Sequence, residues 1–233
     1  MTDKARDNRY YFEELGDDFE AFISDYDVTR RIELIFKRLI PRGRVEPGMS
    51  VLEVGCGTGR ISKEIRKRPW KLTVNDISER LCRKVAGELD CQFLAGECEH
   101  LPCANGTYDM IISSECLEHT LDPWAALNGL KRALKVGGRL IVTTPNKMWY
   151  PVLIAAQAMN MRKFSGIEHW TWPASMRRWL RKNKFEHIYF DGCHLFPWQL
   201  PFAKSILPFL DPGGKFLYPL MINYGFSAQK MTV

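Results

Sequence analysis

The chain has 233 residues, of which 45% are hydrophobic and 26% are charged, and its formal net charge is +6 at pH 7. This composition supplies enough apolar material for one globular core and excludes collagen-like, repeat and low-complexity architectures. The densest basic clusters, at 63–71 and 177–184, are too short to indicate nucleic-acid binding by themselves.

The cysteine pattern and the N-terminus predict where the protein works. Seven cysteines without a CxxC pair or regular spacing indicate reduced thiols instead of a disulfide framework. The N-terminal segment is polar and acidic and lacks a hydrophobic signal core. Since no apolar run reaches the roughly 20 residues that span a bilayer, we expect a cytoplasmic protein, with peripheral membrane contact left open.

The first predicted element is a helix within residues 9–40, where apolar residues recur at three- and four-residue spacing until Pro41. From residue 50 onward, short apolar strands alternate with helices. The predicted strands are 50–54, 71–75, 91–95, 108–113 and 139–144, and the predicted helices start near Arg60, run from Ser78 to about Leu89 and run from about Pro123 to Leu134. Such alternation is typical of a doubly wound, mostly parallel sheet.

The alternation ends after residue 146. Residues 148–164 form an apolar insertion that we expect to be helical from Pro151. A helix near 173–183 and a strand at 185–191 follow, and 226–233 is a candidate final strand. Residues 195–223 are rich in Pro, Leu and Phe and are expected to cover the sheet.

The most specific motif is VLEVGCGTG, in which a strand runs into Gly55, Gly57 and Gly59 ahead of a helix. Glycine is needed where the backbone takes a positive φ and a ligand approaches it closely, and the helix N-terminus beyond offers unpaired N–H groups. NAD enzymes place GxGxxG here. This chain instead has GxGxG, with Glu53 two residues before the first glycine.

Two acidic positions complete the pattern. Asp76 ends the second strand, where a carboxylate can accept hydrogen bonds from both ribose hydroxyls. Glu97 follows the third strand and could accept a hydrogen bond from an adenine amino group, while the N–H of Cys98 donates to the ring. These elements, with YDMIISSECLEH and LKRALKVGGRLIVTTPN, resemble the class I S-adenosylmethionine-dependent methyltransferases over about residues 48–146.

The resemblance implies an α/β fold with a doubly wound, mostly parallel seven-stranded sheet of order 3-2-1-4-5-7-6, an antiparallel last strand and helical cover elements. It implies one methyltransferase domain, 1–233. We divide this domain into an N-terminal helical cap (1–47), a cofactor-binding core (48–146), an apolar insertion or lid (147–172) and a C-terminal part of the sheet with apolar cover (173–233). SECLEHTLDP, with TPN after the next strand, is most similar to the quinone-biosynthesis O-methyltransferases of the UbiG type.

The resemblance also implies which residues bind S-adenosylmethionine. The loop at Gly55 lines the methionine part, Asp76 holds the ribose, and Glu97 and Cys98 flank the adenine. Glu53 either orients the loop or contacts the amino group through water, and Arg31 either pairs with the methionine carboxylate or is a solvated helix arginine. The full expected set is Arg31, Glu53, Gly55, Cys56, Gly57, Gly59, Asp76, Ile77, Glu97, Cys98 and Ser114. Tyr10, Tyr11 and Tyr26 either close over the cofactor or pack.

The catalytic candidates are Glu115, Glu118 and His119, which follow the fourth strand at the edge where doubly wound sheets bind ligands. His119 has a suitable pKa range for a base that removes an acceptor proton. If the three residues share a helix face at i,i+3 and i,i+4 spacing, they could instead bind a divalent metal, Mg²⁺ or Zn²⁺, that activates a hydroxyl. The alternative is structural, with the two glutamates in the first turn of a helix and His119 packed under the cofactor.

Asn146, His169 and Trp170 are the substrate-binding candidates, and a structural aromatic corner is the alternative for the latter two. The apolar insertion and cover could form a lid, a membrane contact or a dimer seam. We expect O-methylation of a small, apolar or ring-bearing acceptor. N- or C-methylation of a natural-product or sugar intermediate and a non-catalytic cofactor-binding subunit are the alternatives. Nucleic-acid methylation is disfavoured because no NPPY-like motif follows the fourth strand.

Overall fold

The protein is described here by a computed structural model that covers residues 24–159 and 168–231. Within these residues a seven-stranded sheet has the order β3-β2-β1-β4-β5-β7-β6. The strands are β1 (Ser50–Val54), β2 (Lys71–Asp76), β3 (Gln92–Ala95), β4 (Tyr108–Ser114), β5 (Leu134–Pro145), β6 (Phe185–Cys193) and β7 (Asn223–Lys230). Strand β7 runs antiparallel to both neighbours, and the other pairings are parallel. The predicted fold class, strand order and antiparallel last strand are confirmed.

Helices cover both faces of the sheet. They are α1 (Asp25–Glu33), α2 (Arg60–Arg66), α3 (Glu79–Leu89), α4 (Pro123–Ala133), α5 (Tyr150–Ala158), α6 (Pro173–Lys182), α7 (Ala203–Leu210) and α8 (Gly214–Leu217). Helix α1 continues through a π-helical turn, Leu34–Leu39. The Ser78 hydroxyl caps α3 by accepting the N–H of Leu81, as the sequence predicts.

The two faces of the sheet bury separate apolar layers. One layer lies under α1, its π-helical turn, α2 and α3, and includes Leu34, Leu39, Ile65, Val85, Met110 and Ile141. The other lies under α4 and α6 and includes Leu127, Leu130, Met176, Leu180, Phe190 and Tyr224. Because both faces are covered, the central strands read as continuous apolar runs instead of alternating ones.

The topology gathers three distant segments at one edge of the sheet. Ser114, at the end of β4, pairs with Thr143 of β5, and Pro145 at the end of β5 pairs with Asn223. Asn223 begins the antiparallel β7 and pairs on its other side with Cys193, which ends β6. The residues after β4 and β6 and at the start of β7 therefore meet at the edge where such sheets bind ligands.

Helix α1 is fastened to this edge by ion pairs. Arg30 Nε lies 2.8 Å from Asp211 Oδ2, and Arg38 in the π-helical turn lies 2.7 Å from Asp191 Oδ1. Both carboxylates are buried, so the pairs are shielded from solvent. Helix α1 and its π-helical turn thus pack over β6 and β7, and Asp25 at the start of α1 pairs with Arg60 at the start of α2.

Several predicted boundaries are wrong. Strand β5 begins at Leu134 instead of 139, because the VGG segment continues the strand, and β7 begins at Asn223 instead of 226. The apolar cover at 195–223 contains α7 and α8. Tyr10, Tyr11 and the later part of the insertion lie outside the described residues. Seven cysteines fall inside them and all are free thiols.

Within the described ranges, no helix has the length and apolar character that crossing a bilayer would require.

Candidate active site

The glycine loop after β1 has the backbone that its sequence predicts. Gly55, Gly57 and Gly59 have φ values of +74°, +50° and +80°, in the left-handed region that favours glycine. A Cβ on Gly55 would lie 2.5 Å from Cys116 Cβ. The loop therefore passes directly against the segment that follows β4, and side chains are excluded from that contact.

Asp76 lies beneath the same loop. Its Oδ2 accepts the Gly57 N–H at 2.9 Å and its Oδ1 accepts the Ser78 N–H at 3.0 Å. Burial raises the pKa of Asp76, while the N–H groups of Ser78 and Gly57 oppose this rise. Each oxygen keeps a second lone pair, so the carboxylate fits the predicted role of accepting ribose hydroxyls while it fixes the loop.

Glu53 is buried at 2% exposure, and its Oε2 accepts the hydroxyl of Ser62 in α2. Burial raises the pKa of Glu53 to about 8, although the Ser62 hydroxyl opposes the shift. Strand β1 precedes the glycine loop and α2 follows it, so this hydrogen bond joins the two sides of the loop. The contact supports the first predicted role of Glu53, which is to orient the loop.

The expected adenine-side residues follow β3. Glu97 precedes a short 3-10 turn, Cys98–His100, and its Oε2 lies 3.7 Å from His100 Nδ1. Cys98 is buried, and its carbonyl lies so close to α4 that a Cβ on Gly129 would be 2.3 Å from it. Helix α4 thus sets the position of this loop.

Two other predicted residues in this region lie beside the loop and Asp76. The N–H of Cys56 donates to the Asn75 carbonyl at 2.9 Å. Ile77 stands between Asp76 and Ser78 and is half-buried.

Arg31 reaches from α1 to the end of β4. Its Nη2 lies 2.8 Å from Asp27 Oδ2 and its Nη1 lies 3.4 Å from Ser114 Oγ. Burial would lower the pKa of Arg31, but Asp27 and Glu115 raise it above its ordinary value, so the guanidinium stays charged. The alternative of a solvated helix arginine is wrong, because the side chain is 13% exposed. The position of Arg31 at the end of β4 fits the predicted pairing with the methionine carboxylate of the cofactor.

The segment after β4 is not an α-helix, so the predicted shared helix face of Glu115, Glu118 and His119 is wrong. Glu115 has φ +50°, and the following residues form a 3-10 turn, Leu117–His119. Helix α4 begins only at Pro123, with Asp122 as its cap. The left-handed residue at Glu115 turns the chain, so the helical i,i+3 and i,i+4 spacing of the three side chains is lost.

Glu115 and Glu118 have different surroundings. Glu115 Oε2 accepts the Asn223 Nδ2 at 2.7 Å, and burial raises its pKa to about 7 against the lowering effect of Arg31. Glu118 Oε2 accepts the Thr144 hydroxyl at 3.2 Å, and burial together with Glu115 raises its pKa well above the ordinary value. His119 is half-buried, and its N–H donates to the Cys116 carbonyl at 3.0 Å.

The loss of helical spacing bears directly on the predicted metal ligands. Among the residues that the structure describes, no group of three or more His, Cys, Asp or Glu side chains is arranged to hold a metal ion. The predicted Mg²⁺ or Zn²⁺ site at Glu115, Glu118 and His119 is therefore not supported.

The three predicted substrate residues lie in different environments. Asn146 is fully buried, its Nδ2 donates to the carbonyls of Pro219 and Met221, and its Oδ1 accepts the Met148 N–H. Its amide is thus occupied in joining β5 to the segment before β7.

His169 is exposed, and its N–H donates to the Glu118 carbonyl at 2.7 Å. Trp170 packs edge-on against Tyr150, with 5.7 Å between ring centroids. Both line a cleft of about 690 Å³ together with Trp124 and Trp172. An aromatic cleft therefore adjoins the turn that carries Glu118.

Sequence reasoning missed three polar residues that the fold brings to Glu115 and Arg31. Asn223 binds Glu115, Asp27 binds Arg31, and His194 Nε2 lies 3.0 Å from Asp27 Oδ1. Asn223 and His194 stand at the ends of β7 and β6. Only the antiparallel topology of these strands could have indicated that they reach the site.

The family assignment follows from residues 24–199, which match the sequence model of a family described as a methyltransferase domain. This chain belongs to that family. A ubiquinone biosynthesis O-methyltransferase of Xanthomonas oryzae pv. oryzae is 27% identical over 165 residues, which cover 65% of this chain and 69% of that protein. The corresponding protein of Xanthomonas axonopodis pv. citri is 25% identical over 181 residues, covering 72% of this chain and 74% of that protein.

Solved structures share the fold. One is an S-adenosylmethionine-dependent methyltransferase of Thermotoga maritima described as a possible histamine N-methyltransferase, with TM-score 0.70, 18% identity and coverage of 95% of this chain and 99% of that one. Another is phosphoethanolamine N-methyltransferase 2 of Haemonchus contortus in complex with S-adenosyl-L-methionine, with TM-score 0.60, 16% identity and coverage of 87% and 52%. With the family match and the strand order, these likenesses identify a class I S-adenosylmethionine-dependent methyltransferase.

Proposed function

We propose that the enzyme methylates a hydroxyl of a small-molecule acceptor and that Glu115 accepts the proton of that hydroxyl. S-adenosylmethionine supplies an electrophilic methyl group on a sulfonium when it is bound. The glycine loop, Asp76 and Arg31 would hold it, with the loop at Glu97 and Cys98 beside the adenine. The O-methyltransferase relatives from Xanthomonas support a hydroxyl as the acceptor group.

The position of Glu115 carries the proposal. The residue follows Ser114 at the end of β4, next to the glycine loop and to Arg31. Asn223 fixes one of its oxygens at 2.7 Å. The other, Oε1, is shielded from solvent and has no hydrogen-bond partner among the described residues. A carboxyl whose pKa is raised to about 7 by burial is suited to accept a proton near neutral pH.

The two neighbouring candidates differ from Glu115 in what they can do. Glu118 is held in its protonated form by burial, and its Oε2 accepts the Thr144 hydroxyl of β5, so we assign it to positioning the turn. His119 lies on the same 3-10 turn and is half-buried. It remains the second candidate for the base, and variants distinguish the two.

The test compares Glu115→Gln and His119→Ala, with Glu118→Gln as the control variant. Transfer of a radiolabelled methyl group would be screened over catechols, quinols, amino sugars and lipids, and S-adenosylhomocysteine affinity would be measured by calorimetry. If Glu115 is the base, Glu115→Gln lowers kcat by about 10²–10⁴-fold with unchanged cofactor affinity. Wild-type turnover in folded Glu115→Gln would refute the assignment of Glu115 as the base. Loss of turnover in His119→Ala alone would assign the base to His119 instead. Labelling of amino sugars alone would favour the N-methylation alternative.

Apolar surface near the C-terminus supports a lipophilic acceptor delivered from a membrane. Phe202, Phe209 and Phe216 are 54%, 84% and 75% exposed, and Lys204 and Lys215 lie among them. We propose peripheral contact of this surface with anionic lipid. Sedimentation with phosphatidylglycerol-containing vesicles should fall for Phe209→Asp and not for Val136→Asp, which changes an exposed apolar residue of β5. Equal sedimentation of both variants would contradict the contact.

A further inference from the structure

Four of the seven cysteines lie around the predicted cofactor site as two pairs of thiols. Cys56, Cys82, Cys98 and Cys116 each lie in the segment that follows one of the strands β1 to β4. The thiol of Cys98 shares a hydrogen bond with that of Cys116, and the thiol of Cys56 shares one with that of Cys82. Each pair therefore joins two separate segments at the edge of the sheet where such folds bind their ligands.

The two pairs differ in how easily an oxidant reaches them. Cys56 and Cys82 are 5% and 0% exposed and lie in the apolar layer under α2 and α3. Cys98 is also buried, whereas Cys116 is half-buried and packs against the other apolar layer. The hydrogen bond with Cys116, together with burial, raises the pKa of the Cys98 thiol well above its ordinary value, so Cys98 stays protonated. Cys116 is therefore the thiol that a small oxidant meets first.

The pair Cys98 and Cys116 is mechanically coupled to the glycine loop. A Cβ on Gly55 would lie 2.6 Å from Cys116 Sγ, so this sulfur already packs against the loop. The carbonyl of Cys98 packs against α4, where a Cβ on Gly129 would be 2.3 Å away. A disulfide brings its sulfurs to about 2 Å, much closer than two thiols that share a hydrogen bond. Because α4 supports Cys98, we expect the turn at Cys116 to move and the contact with Gly55 to change.

We propose that Cys98 and Cys116 form an oxidisable dithiol, and that its conversion to a disulfide by a peroxide lowers the affinity of the enzyme for its cofactor. In the first step the sulfur of Cys116 attacks hydrogen peroxide. An S–O bond forms, the O–O bond breaks, and a sulfenic acid and one water result.

The second step closes the disulfide. The sulfur of Cys98 attacks that of Cys116, so that the S–S bond forms and the S–O bond breaks. Glu99 Oε2 lies 3.5 Å from Cys98 Sγ and accepts the hydrogen bond of its thiol, so it can receive the proton and pass it to the departing hydroxide. Two thiols and one peroxide thus give one disulfide and two waters.

Oxidation and cofactor binding oppose each other if this is correct. Linkage requires that a disulfide that weakens cofactor binding by some factor is itself disfavoured by bound cofactor by the same factor. The loaded enzyme should therefore resist oxidation, and a thiol reductant should restore the empty enzyme. The inference concerns the cofactor site and does not depend on which acceptor is methylated.

The test treats the full chain with hydrogen peroxide and measures S-adenosylhomocysteine affinity by calorimetry, before and after dithiothreitol. Trypsin leaves both cysteines in one peptide, 85–131. Cyanogen bromide instead cleaves after Met110, and Cys116 is the only cysteine of the resulting fragment 111–148. A disulfide with Cys98 keeps this fragment joined to fragment 50–110 until reductant is added.

Three variants identify the partners. Cys116→Ser and Cys98→Ser each remove one thiol of the pair, and Cys103→Ser changes another half-buried cysteine as the matched control. Each treated variant is compared with its own untreated form, so that an effect of the substitution on binding does not enter the result. Cys98→Ala is the second variant if Cys98→Ser does not fold.

We expect peroxide to join the two fragments in the wild type and in Cys103→Ser. In both, S-adenosylhomocysteine binding should weaken about tenfold or more, the equivalent of one lost hydrogen bond to the loop, and dithiothreitol should restore it. Neither effect should occur in Cys116→Ser or Cys98→Ser, and saturation with S-adenosylhomocysteine should slow the joining in the wild type.

Four results would overturn the inference: no joined fragments, joining that persists in Cys98→Ser, joining that leaves the affinity unchanged, or a loss of affinity that dithiothreitol does not reverse, which indicates a sulfinic acid. Failure of the proposed function is a separate observation. It would appear as absent methyl transfer by the untreated wild-type enzyme with every acceptor tested, while S-adenosylhomocysteine binding and its response to peroxide could still be measured.

Discussion

Replacing Glu53 by glutamine tests whether a neutral carboxyl supports the glycine loop. Glu53 is buried between β1 and α2 and accepts hydrogen bonds from the hydroxyl and the backbone N–H of Ser62. No cation is among the groups that influence its pKa, which burial raises from an ordinary 4.5 to about 8. Glutamine has nearly the same shape and can keep the contact with Ser62, but it never ionises.

The size and sign of the effect follow from proton linkage. Between pH 4.5 and 8 the folded protein holds a proton on Glu53 that the unfolded chain has released, so the free energy of unfolding falls as pH rises through this window. Each pKa unit corresponds to about 1.4 kcal/mol, which gives a loss of about 3 kcal/mol by pH 7. Glu53→Gln avoids that loss and should exceed the wild type by about 3 kcal/mol at pH 7, but by little at pH 5.

Urea unfolding at pH 5, 6, 7 and 8 measures this divergence. Glu186→Gln removes a carboxyl at an exposed position of β6 and controls for the change in net charge. S-adenosylhomocysteine affinity should stay at the wild-type level, because the loop keeps its support. Parallel stability curves for the wild type and Glu53→Gln would show that Glu53 is already ionised in the folded protein, and the reasoning about burial would then be wrong.

Three further predictions concern the cofactor site and the base. Gly55→Ala should lower the free energy of unfolding by about 1–2 kcal/mol because of its positive φ. It should also displace Cys116 and abolish S-adenosylhomocysteine binding measured by calorimetry. The control Gly87→Ala, at a helical position with open space around it, should raise the free energy of unfolding by about 1 kcal/mol. Asp76→Asn should weaken S-adenosylhomocysteine binding by at least about tenfold, since the amide NH₂ would face the backbone N–H of Gly57 or Ser78. Unchanged affinity would exclude a role of Asp76 in binding the ribose. Arg31→Met removes the positive charge that lowers the pKa of Glu115, while the carboxyls of Asp27 and Glu118 remain, so this pKa should rise. The increase of kcat/KM with pH should therefore shift to higher pH. An unshifted profile would contradict the assignment of Glu115 as base.

Local patterns in the sequence were sufficient for the part of the fold in which neighbours along the chain decide the structure. Ser78 caps its helix, the glycine motif adopts positive φ, and Asp76 ends β2 beneath the loop. These features depend on a few consecutive residues. The strand order came from the family resemblance, because pairing across β4, β5 and β7 has no local signature.

The catalytic segment could not be predicted in the same way. ExxEH reads as an i,i+3,i+4 helix face, but the left-handed Glu115 breaks that spacing. The contacts that replaced it are long-range, since Asn223 is 108 residues from Glu115 and His194 is 167 residues from Asp27. No periodicity in the sequence encodes such contacts.

The two carboxyls of SECLEH illustrate how the N-terminal helix contributes to catalysis as well as to covering the sheet. Glu118 is buried and Glu115 is half-buried after β4, and loss of solvation raises the pKa of both carboxyls. Among the described residues, the guanidinium of Arg31 lowers the pKa of Glu115, which is held at about 7, whereas no guanidinium is among the main influences on Glu118, whose pKa rises well above its ordinary value. Different environments for paired carboxyls separate their roles: one can exchange a proton near neutral pH, and the other stays neutral and positions the turn. Because α1 carries Arg31 and is fastened to the sheet edge through Asp211, docking of this helix is what completes the proposed base.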